Sequence, residues 1–398
     1  MTLRTAPVAQ ARDDARLGRA LVRWFRRQGR VLPWRETRDP YAVWISEVML
    51  QQTQVATVIP YYHRFLRAFP SVESLARAPL ERVLQVWSGL GYYRRARHLH
   101  AAARRIVAEF GGRFPATLVE ARSLPGVGSY TAAAVLSIAY GLPLAALDGN
   151  IARVMARLDA RRGSLSDSRF RRAVEDRLEN LLPRRHAGDF NQALMELGQT
   201  VCLPRAPRCP DCPLKASCRA CQTGEQESFP APRPRRATEE HHLAVAVVRS
   251  PGGTNRRPAV RPAPKGASSN AKSVLLVRGL DGGLMSDLWN FPAAFGSSPA
   301  NACARLKEKL AGLLPAVDSR DIRINPESAR LEHGVTYRKI QVRVYPCELG
   351  PFDLGPYEAG WRGALDGKVR WLELPRLARP GQAAVSELAR KIAQAVNA

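Results

Sequence analysis

The sequence predicts two domains, an all-α body followed by a smaller α+β domain, and three observations predict them. From Leu17 to Leu197 apolar residues recur with a helical period, separated by short Gly/Pro connections. At 223–239 the composition breaks, with Pro230, Pro232 and Pro234 set among Arg233, Arg235 and Arg236 as an extended linker. Beyond it the pattern turns to short runs of β-branched residues. A chain of 398 residues is also too long for one ordinary core. The expected division is a helical domain at 14–222, a linker at 223–239 and a second domain at 240–398.

In the first domain, Asp39 to Ile59 reads as a helix with Tyr41, Trp44, Ile45, Val48, Met49 and Val55 near one face. Asp39 supplies an N-cap, Pro40 a first-turn proline, and Pro60 the far limit. Further amphipathic stretches run over Leu80–Trp87, Ala96–Phe110, Thr131–Ala139, Ile151–Leu158 and Phe170–Leu182. In the second domain, strands are expected at His242–Val248, Val274–Arg278 and Ile340–Tyr345, and helices at Ala300–Leu313 and Ala383–Val396. Residues 250–272, rich in Pro, Gly, Ser and Arg, read as a disordered loop.

The formal net charge of +26 points to a polyanionic partner, although an arginine-rich composition would give the same number. No run of eighteen apolar residues exists, so no membrane span is expected. The N-terminal arginines are accompanied by Asp13 and Asp14 and by no apolar stretch, which argues against a secretory signal and only weakly against a transit peptide; a cytoplasmic location is expected, nucleoid-associated if the source is bacterial.

Of seven cysteines, five fall between Cys202 and Cys221. Cys202, Cys209, Cys212 and Cys218 have the spacing C-x6-C-x2-C-x5-C on a loop stiffened by Pro204, Pro207, Pro210 and Pro213. Four thiolates so placed suit tetrahedral zinc or an iron–sulfur cluster, and ligand chemistry alone does not separate the two. Cys221 is left over. A second motif, Leu124-Pro125-Gly126-Val127-Gly128-Ser129-Tyr130-Thr131-Ala132, joins a tight turn to a helix start. Backbone N–H groups of Gly126, Gly128 and Ser129 there suit a DNA phosphate, though two glycines also mark ordinary helix-joining turns.

This combination resembles the helix–hairpin–helix DNA glycosylase superfamily, and the cysteine spacing is that of its endonuclease III and MutY branch. The resemblance implies a [4Fe–4S] cluster on Cys202, Cys209, Cys212 and Cys218. Tyr130 stands where the endonuclease III type carries its lyase lysine, and a tyrosine cannot form a Schiff base. Leu32-Pro33-Trp34-Arg35, Ser46-Glu47-Val48-Met49-Leu50-Gln51-Gln52-Thr53, Gly89-Leu90-Gly91-Tyr92-Tyr93 and Phe190-Asn191-Gln192-Ala193-Leu194-Met195-Glu196-Leu197-Gly198 are similar to MutY adenine DNA glycosylases. The match covers residues 20–220. An endonuclease III-like enzyme acting on oxidised pyrimidines, and a non-catalytic iron–sulfur DNA-binding redox protein, are the rival readings.

Breaking an adenine–deoxyribose bond requires a protonated leaving base and a stabilised oxocarbenium ion, which two carboxyl groups in unlike environments supply. Glu47, set among apolar neighbours, would hold a proton if buried. Outside this motif it would read as a solvated helix carboxylate. Asp148 precedes the helix near Ile151 and fits an N-cap. The resemblance makes Glu47 the general acid and Asp148 the stabiliser of the sugar cation, with Tyr130 and Asn150 beside it. It also implies that Trp34, Arg35, Leu50 and Gln192 recognise adenine, and that Gln52 and Tyr92 wedge the duplex around the extruded base. Arg94, Arg95 and Arg97 are candidate phosphate contacts, or simply a basic helix face.

The second domain resembles the Nudix-like domain by which MutY reads 8-oxoguanine. Leu288-Trp289-Asn290-Phe291-Pro292 matches its strand segment, while the acidic Nudix box is absent, so diphosphate hydrolysis is not expected. His333, Thr336 and Tyr337 align with the loop that touches the oxidised base, of which the histidine alone matches identically. The implied partner is double-stranded DNA carrying an A:8-oxoguanine or A:G mispair, bound by a monomer.

Overall fold

The structure is a computed structural model that describes residues 6–231, 237–249, 273–280, 288–314, 317–335, 337–350, 369–379 and 384–397. It divides into two compact units, Met1–Ala78 with Arg94–Arg235, and Pro79–Tyr93 with Arg236–Ala398. Among the described residues no helix is long and apolar enough to cross a membrane.

The first unit is all α: α1 (Ala6–Gln28), α2 (Pro40–Leu50), α3 (Val55–Ala68), α4 (Val72–Arg77), then α6 (Arg94–Glu109), α7 (Leu118–Ser123), α8 (Ser129–Ala139), α9 (Gly149–Leu158), α10 (Ser168–Leu181), α11 (Ala187–Thr200) and α12 (Arg219–Gln222). Its main core joins Leu21 of α1, Ile151 and Met155 of α9, Leu178 of α10, and Phe190, Leu194 and Leu197 of α11, all nearly fully buried. The helix expected over Asp39–Ile59 is two helices. Asp39 does cap α2, accepting from the Tyr41 and Ala42 amides at 3.1 and 3.3 Å. The chain then breaks at Gln51–Gln54, and Pro60 lies inside α3 rather than ending it. The break is stabilised from α6. Arg95 is 8% exposed and donates to the carbonyls of Val48 and Met49 at 3.0 and 2.8 Å, and to Gln51. Helix C-termini leave such carbonyls unsatisfied, and a guanidinium answers several at once. Arg95 is therefore a helix clamp, which corrects its reading as a phosphate contact; Arg94 is exposed and Arg97 half-buried.

In the second unit, β1 (Glu239–Val248) pairs parallel to β7 (Arg338–Leu349) and antiparallel to β4 (Ala293–Gly296); β5 (Ile322–Ile324) and β6 (Ala329–Val335) also pair with β7. A second sheet has the order β3 (Trp289–Asn290), β2 (Ser273–Arg278), β8 (Val369–Glu373). Helices α13 (Pro299–Leu313), α14 (Leu374–Ala378) and α15 (Glu387–Asn397) complete this α+β unit. The three expected strands and the helix at 300–313 are present within a few residues; the last helix begins at Glu387 rather than near 383. The expected loop at 250–272 lies outside the described residues. Helix α5 (Leu80–Trp87), read as part of the helical domain, belongs to this unit instead. Polar bonds explain why: Arg370 donates to Glu81 at 2.7 Å and Arg390 to Ser88 at 2.7 Å.

In the first unit, the segment between α8 and α9 is held by Asn191, which is fully buried. Its amide oxygen accepts from the Ala146 N–H at 3.0 Å, and its nitrogen donates to Ser137 Oγ and the Leu144 carbonyl at 2.8 Å. Asn191→Ala strands a buried backbone donor and acceptor, so chemical denaturation is expected to show a loss of roughly 2–4 kcal/mol.

Candidate active site

Helix α2 buries its whole length from Tyr41 to Met49, polar residues included. Glu47 is thereby 4% exposed. Burial pushes its carboxyl up to about 7, the nearby Asp148 adds to the rise, and the Tyr130 hydroxyl and Arg35 oppose it. Tyr130, one residue into α8, donates its hydroxyl to Glu47 Oε2 at 2.9 Å and also meets Met195 Sδ at 3.5 Å. Burial and the two carboxyl groups of Glu47 and Asp148 raise the Tyr130 phenol well above its ordinary value, keeping it a donor.

Asp148 caps α9, accepting from the Ile151 amide at 2.7 Å, while its second oxygen accepts from Asn150 Nδ2 at 3.0 Å. The capping role and a role toward a cation thus coexist. Glu47 is a dry carboxyl that keeps a proton near neutrality, and Asp148 is half-buried and fully hydrogen-bonded. These are the unlike environments that acid and anion roles require.

Glu47 lines a small cavity of about 30 Å³ together with Trp34, Arg35, Leu50 and Gln192. These four were the residues expected to meet adenine. Trp34 stacks edge-on to Tyr62 with centroids 5.4 Å apart. Arg35 donates to Glu196 Oε2 at 2.9 Å, and Arg30 donates to the same carboxylate at 2.6 and 2.9 Å. Glu196 is 1% exposed, and its two arginines hold its carboxyl below the ordinary range. Sequence reasoning missed Glu196 and Arg30, and also Ile138, Met195 and Gln199 in the cavity wall. Glu196 stood in a quoted motif, but nothing in its spacing shows that residues 166 positions apart, Arg30 and Glu196, will pair.

Asp148 is not part of that cavity's lining and reaches Glu47 through its charge. Tyr130 and Ser129 line a broader cleft edged by Arg122, Arg171 and Arg184. Gly126 and Gly128 form the turn between α7 and α8. Gly126 has φ +76°, and a Cβ there would come within 2.6 Å of the His98 Cβ. Gly128 is the N-cap of α8 and gives it no side-chain cap, and Gly128 and Ser129 are exposed. Gln52 is exposed at φ 57°, and Tyr92, in the second unit, is 50% exposed at φ 49°.

Cys202, Cys209, Cys212 and Cys218 line one small cavity, and Cys221 joins them there. Burial raises the Cys212 thiol to about 12, and burial followed by neighbouring thiols raises Cys209. Two arginines of α9 fasten this loop. Arg153 donates to the Cys202 carbonyl at 3.0 Å; Arg157, 2% exposed, donates to the carbonyls of Leu203 and Pro204 at 2.6 and 2.9 Å and to Cys202 Sγ at 3.4 Å. Arg153 also donates to Asn150 Oδ1 at 3.0 Å.

In the second unit His333 lies within β6, opposite Ile340, and is 6% exposed with its Nδ1 unpartnered among the described residues. An open contact loop was expected; a hairpin pairing Val335 with Arg338 stands there instead, because β6 runs on into β7. Tyr337 at its tip is half-buried beneath the Arg338 guanidinium, and Thr336 lies outside the described residues.

Residues 45–180 match the HhH-GPD superfamily of base excision DNA repair proteins, a span that holds Glu47, Tyr130, Asp148 and the glycine hairpin. The human adenine DNA glycosylase is 37% identical over 373 residues, covering 83% of this chain and 66% of the human protein. The mouse adenine DNA glycosylase is 36% identical over 379 residues, covering 86% of this chain and 72% of the mouse protein. The chain belongs to the adenine DNA glycosylase family. A solved thermostable thymine-DNA glycosylase matches 54% of this chain and 99% of its own length at 30% identity, with a TM-score of 0.50. The helical body is thus similar to that of a glycosylase named for thymine.

Burial of Glu47 in this adenine DNA glycosylase family member has a consequence for stability. A carboxyl whose folded pKa is raised contributes most below its unfolded value of 4.5, and loses that contribution as pH rises through about 7. Glu47→Gln, which keeps an acceptor for Tyr130, is expected to melt with wild-type stability at pH 4. At pH 8 it should exceed wild type by on the order of 3 kcal/mol. Melting curves across that range check the sign.

Proposed function

We propose that this chain is a monofunctional glycosylase that hydrolyses the N-glycosidic bond of adenine mispaired with 8-oxoguanine or guanine in double-stranded DNA. The observation that carries the proposal is the buried Glu47 carboxyl, bonded to Tyr130 and opening into a cavity walled by Trp34, Arg35, Leu50 and Gln192.

The target nucleotide is flipped from the duplex and the cavity walls part to admit its base, so that Gln192 offers a donor and an acceptor to the adenine edge. Glu47 gives its proton to N7 of the base. The C1′–N9 bond breaks with its electron pair leaving on adenine, and the Asp148 carboxylate stabilises the sugar cation. Water adds at C1′, and Glu47, now a carboxylate, takes the proton that water loses. Tyr130 and Asn150 hold the two carboxyl groups in place. No amine stands at Tyr130, so the sugar–phosphate backbone stays intact. The amides of Gly126, Gly128 and Ser129 hold a phosphate. The exposed, left-handed Gln52 and Tyr92 enter the duplex around the extruded base.

The cysteines fit an iron–sulfur cluster. Cys202, Cys209, Cys212 and Cys218 line one small cavity with Arg157 beside them, a donor set of four sulfurs. Bound there by Cys202, Cys209, Cys212 and Cys218, a [4Fe–4S] cluster supplies iron–thiolate bonds that tie residues 202–218 into one loop. Recognition of 8-oxoguanine falls to the hairpin of His333, Thr336 and Tyr337 in a Nudix-like domain. The protein acts as a monomer in the cytoplasm, nucleoid-associated if the cell is bacterial.

On duplexes with A opposite 8-oxoguanine, the protein is expected to release free adenine and leave an abasic site that breaks only after alkali. A opposite guanine should react more slowly. Glu47→Gln should lose roughly 10²–10⁴-fold in single-turnover rate while binding the duplex; excision retained in that variant, or strand cleavage without alkali, rejects the mechanism. Cys212→Ser is expected to lower iron per chain well below wild type, as read by metal analysis, and Cys303→Ser to leave it unchanged.

A further inference from the structure

The segment proposed above to enter DNA is built into the second unit, and the bonds that hold it are explicit. Tyr92 is 50% exposed, an unusual setting for a large aromatic, and follows the turn of Gly89 (φ 100°) and Gly91 (φ 76°) at a left-handed φ of 49°. A non-glycine residue in that region is strained and needs support from its surroundings. Inside the turn, Trp87 Nε1 donates to the Gly91 carbonyl at 3.0 Å and the Gly89 N–H donates to the Tyr93 hydroxyl at 3.2 Å.

The rest of the support comes from nearly three hundred positions away. Arg390 of α15, 5% exposed, donates to the fully buried Ser88 Oγ at 2.7 Å. Ser88 Oγ and the Tyr93 hydroxyl both donate to the Val385 carbonyl, at 3.4 and 3.3 Å. Val385 is itself pinned beside β3: the Trp289 N–H donates to the Ala384 carbonyl at 3.0 Å, and the Ser386 N–H to the Trp289 carbonyl at 3.2 Å. Glu387, one turn before Arg390, bonds the same guanidinium and keeps it aimed. A buried guanidinium is expensive to hold out of water unless paired, so its placement under this turn is selective.

We infer that Arg390, acting through Ser88 and the Val385 carbonyl, is a positioning residue for Tyr92, so that the C-terminal helix sets the conformation of the duplex-entering tyrosine. This rests on the reading of Tyr92 as a wedge. In that role the C-terminal unit contributes to base extrusion as well as to reading the opposite base. Pre-setting the strained backbone removes an ordering step that would otherwise accompany unstacking of DNA.

The test uses the full-length holoprotein and a duplex with 2-aminopurine beside an uncleavable 2′-fluoro-2′-deoxyadenosine opposite 8-oxoguanine, so that fluorescence reports unstacking. Arg390→Met keeps the side-chain stem and removes the donors; Ser88→Ala removes the acceptor with almost no change of volume and guards against a fold defect. Both are expected to slow the fluorescence change about tenfold, the value of one buried charge-assisted bond. Affinity for a duplex already holding an abasic-site analogue should stay within about twofold, whereas general destabilisation would lower both. Arg390→Lys should recover part of the rate. Tyr92→Ala should slow the same step, and adding Arg390→Met to it should cost nothing more. Slow unstacking in Tyr92→Ala with wild-type rates in both Arg390→Met and Ser88→Ala, or losses that multiply in the double variant, overturns the positioning role. A wild-type rate in Tyr92→Ala overturns the wedge reading and this inference with it.

Discussion

Glu47 carries a carboxyl group that contact with water would keep ionised, and the first unit is arranged to withhold that contact. Helix α2 is fixed at both ends, by the Asp39 side chain at its start and by Arg95 on its last carbonyls. Its middle is buried from Tyr41 to Met49, and Glu47 is 4% exposed at the wall of its cavity. The Tyr130 hydroxyl supplies the one close bond and is itself too far from ionising to compete for the proton. What remains is a proton held near neutrality at the wall of a cavity, the condition general acid catalysis requires.

The counterpart carboxyl lives under opposite rules, and α9 imposes them. Asp148 at its start receives an amide and the Asn150 side chain. One turn on, Arg153 ties Asn150 to the loop of four cysteines, and Arg157 a turn later binds three carbonyls of the surrounding segments, those of Leu203, Pro204 and Phe229. A single helix therefore carries Asp148 at one end and the cysteine loop along its flank. Hydrogen bonds thus run without a gap from the Cys202 carbonyl through Arg153 and Asn150 to Asp148.

The second unit shows a different economy. Its sheets bury β1 almost completely from Leu243 to Val248, and its C-terminal helix contributes an arginine to a turn that stands far earlier in the chain. The same strand motif, Leu288 to Pro292, both enters the small sheet and braces Val385. Packing and recognition share residues here, so a change made for stability in this unit also bears on the exposed tyrosine.

Local chemistry made much of this legible in the sequence. The helical period, the Asp39 and Asp148 caps, the glycine turn before Tyr130, the cysteine spacing and the β-branched strands are all written within a few residues of where they act, because caps and turns close between near neighbours and a strand's residue preference is local even where its pairing is not. The five residues expected around adenine also converge as a set, Glu47 with Trp34, Arg35, Leu50 and Gln192. Other features belong to the tertiary structure alone: the break at Gln51, the conversion of Arg95 from surface cation to helix clamp, the Arg30–Glu196–Arg35 pairing, the burial of His333 and the transfer of α5 to the second unit. Each depends on which distant segment arrives to satisfy a charge or a carbonyl, and no periodicity records that. The sequence by itself determined which groups could do the chemistry; the tertiary structure decided which of them are kept dry, and a carboxyl group becomes an acid at neutral pH only when water is excluded from it.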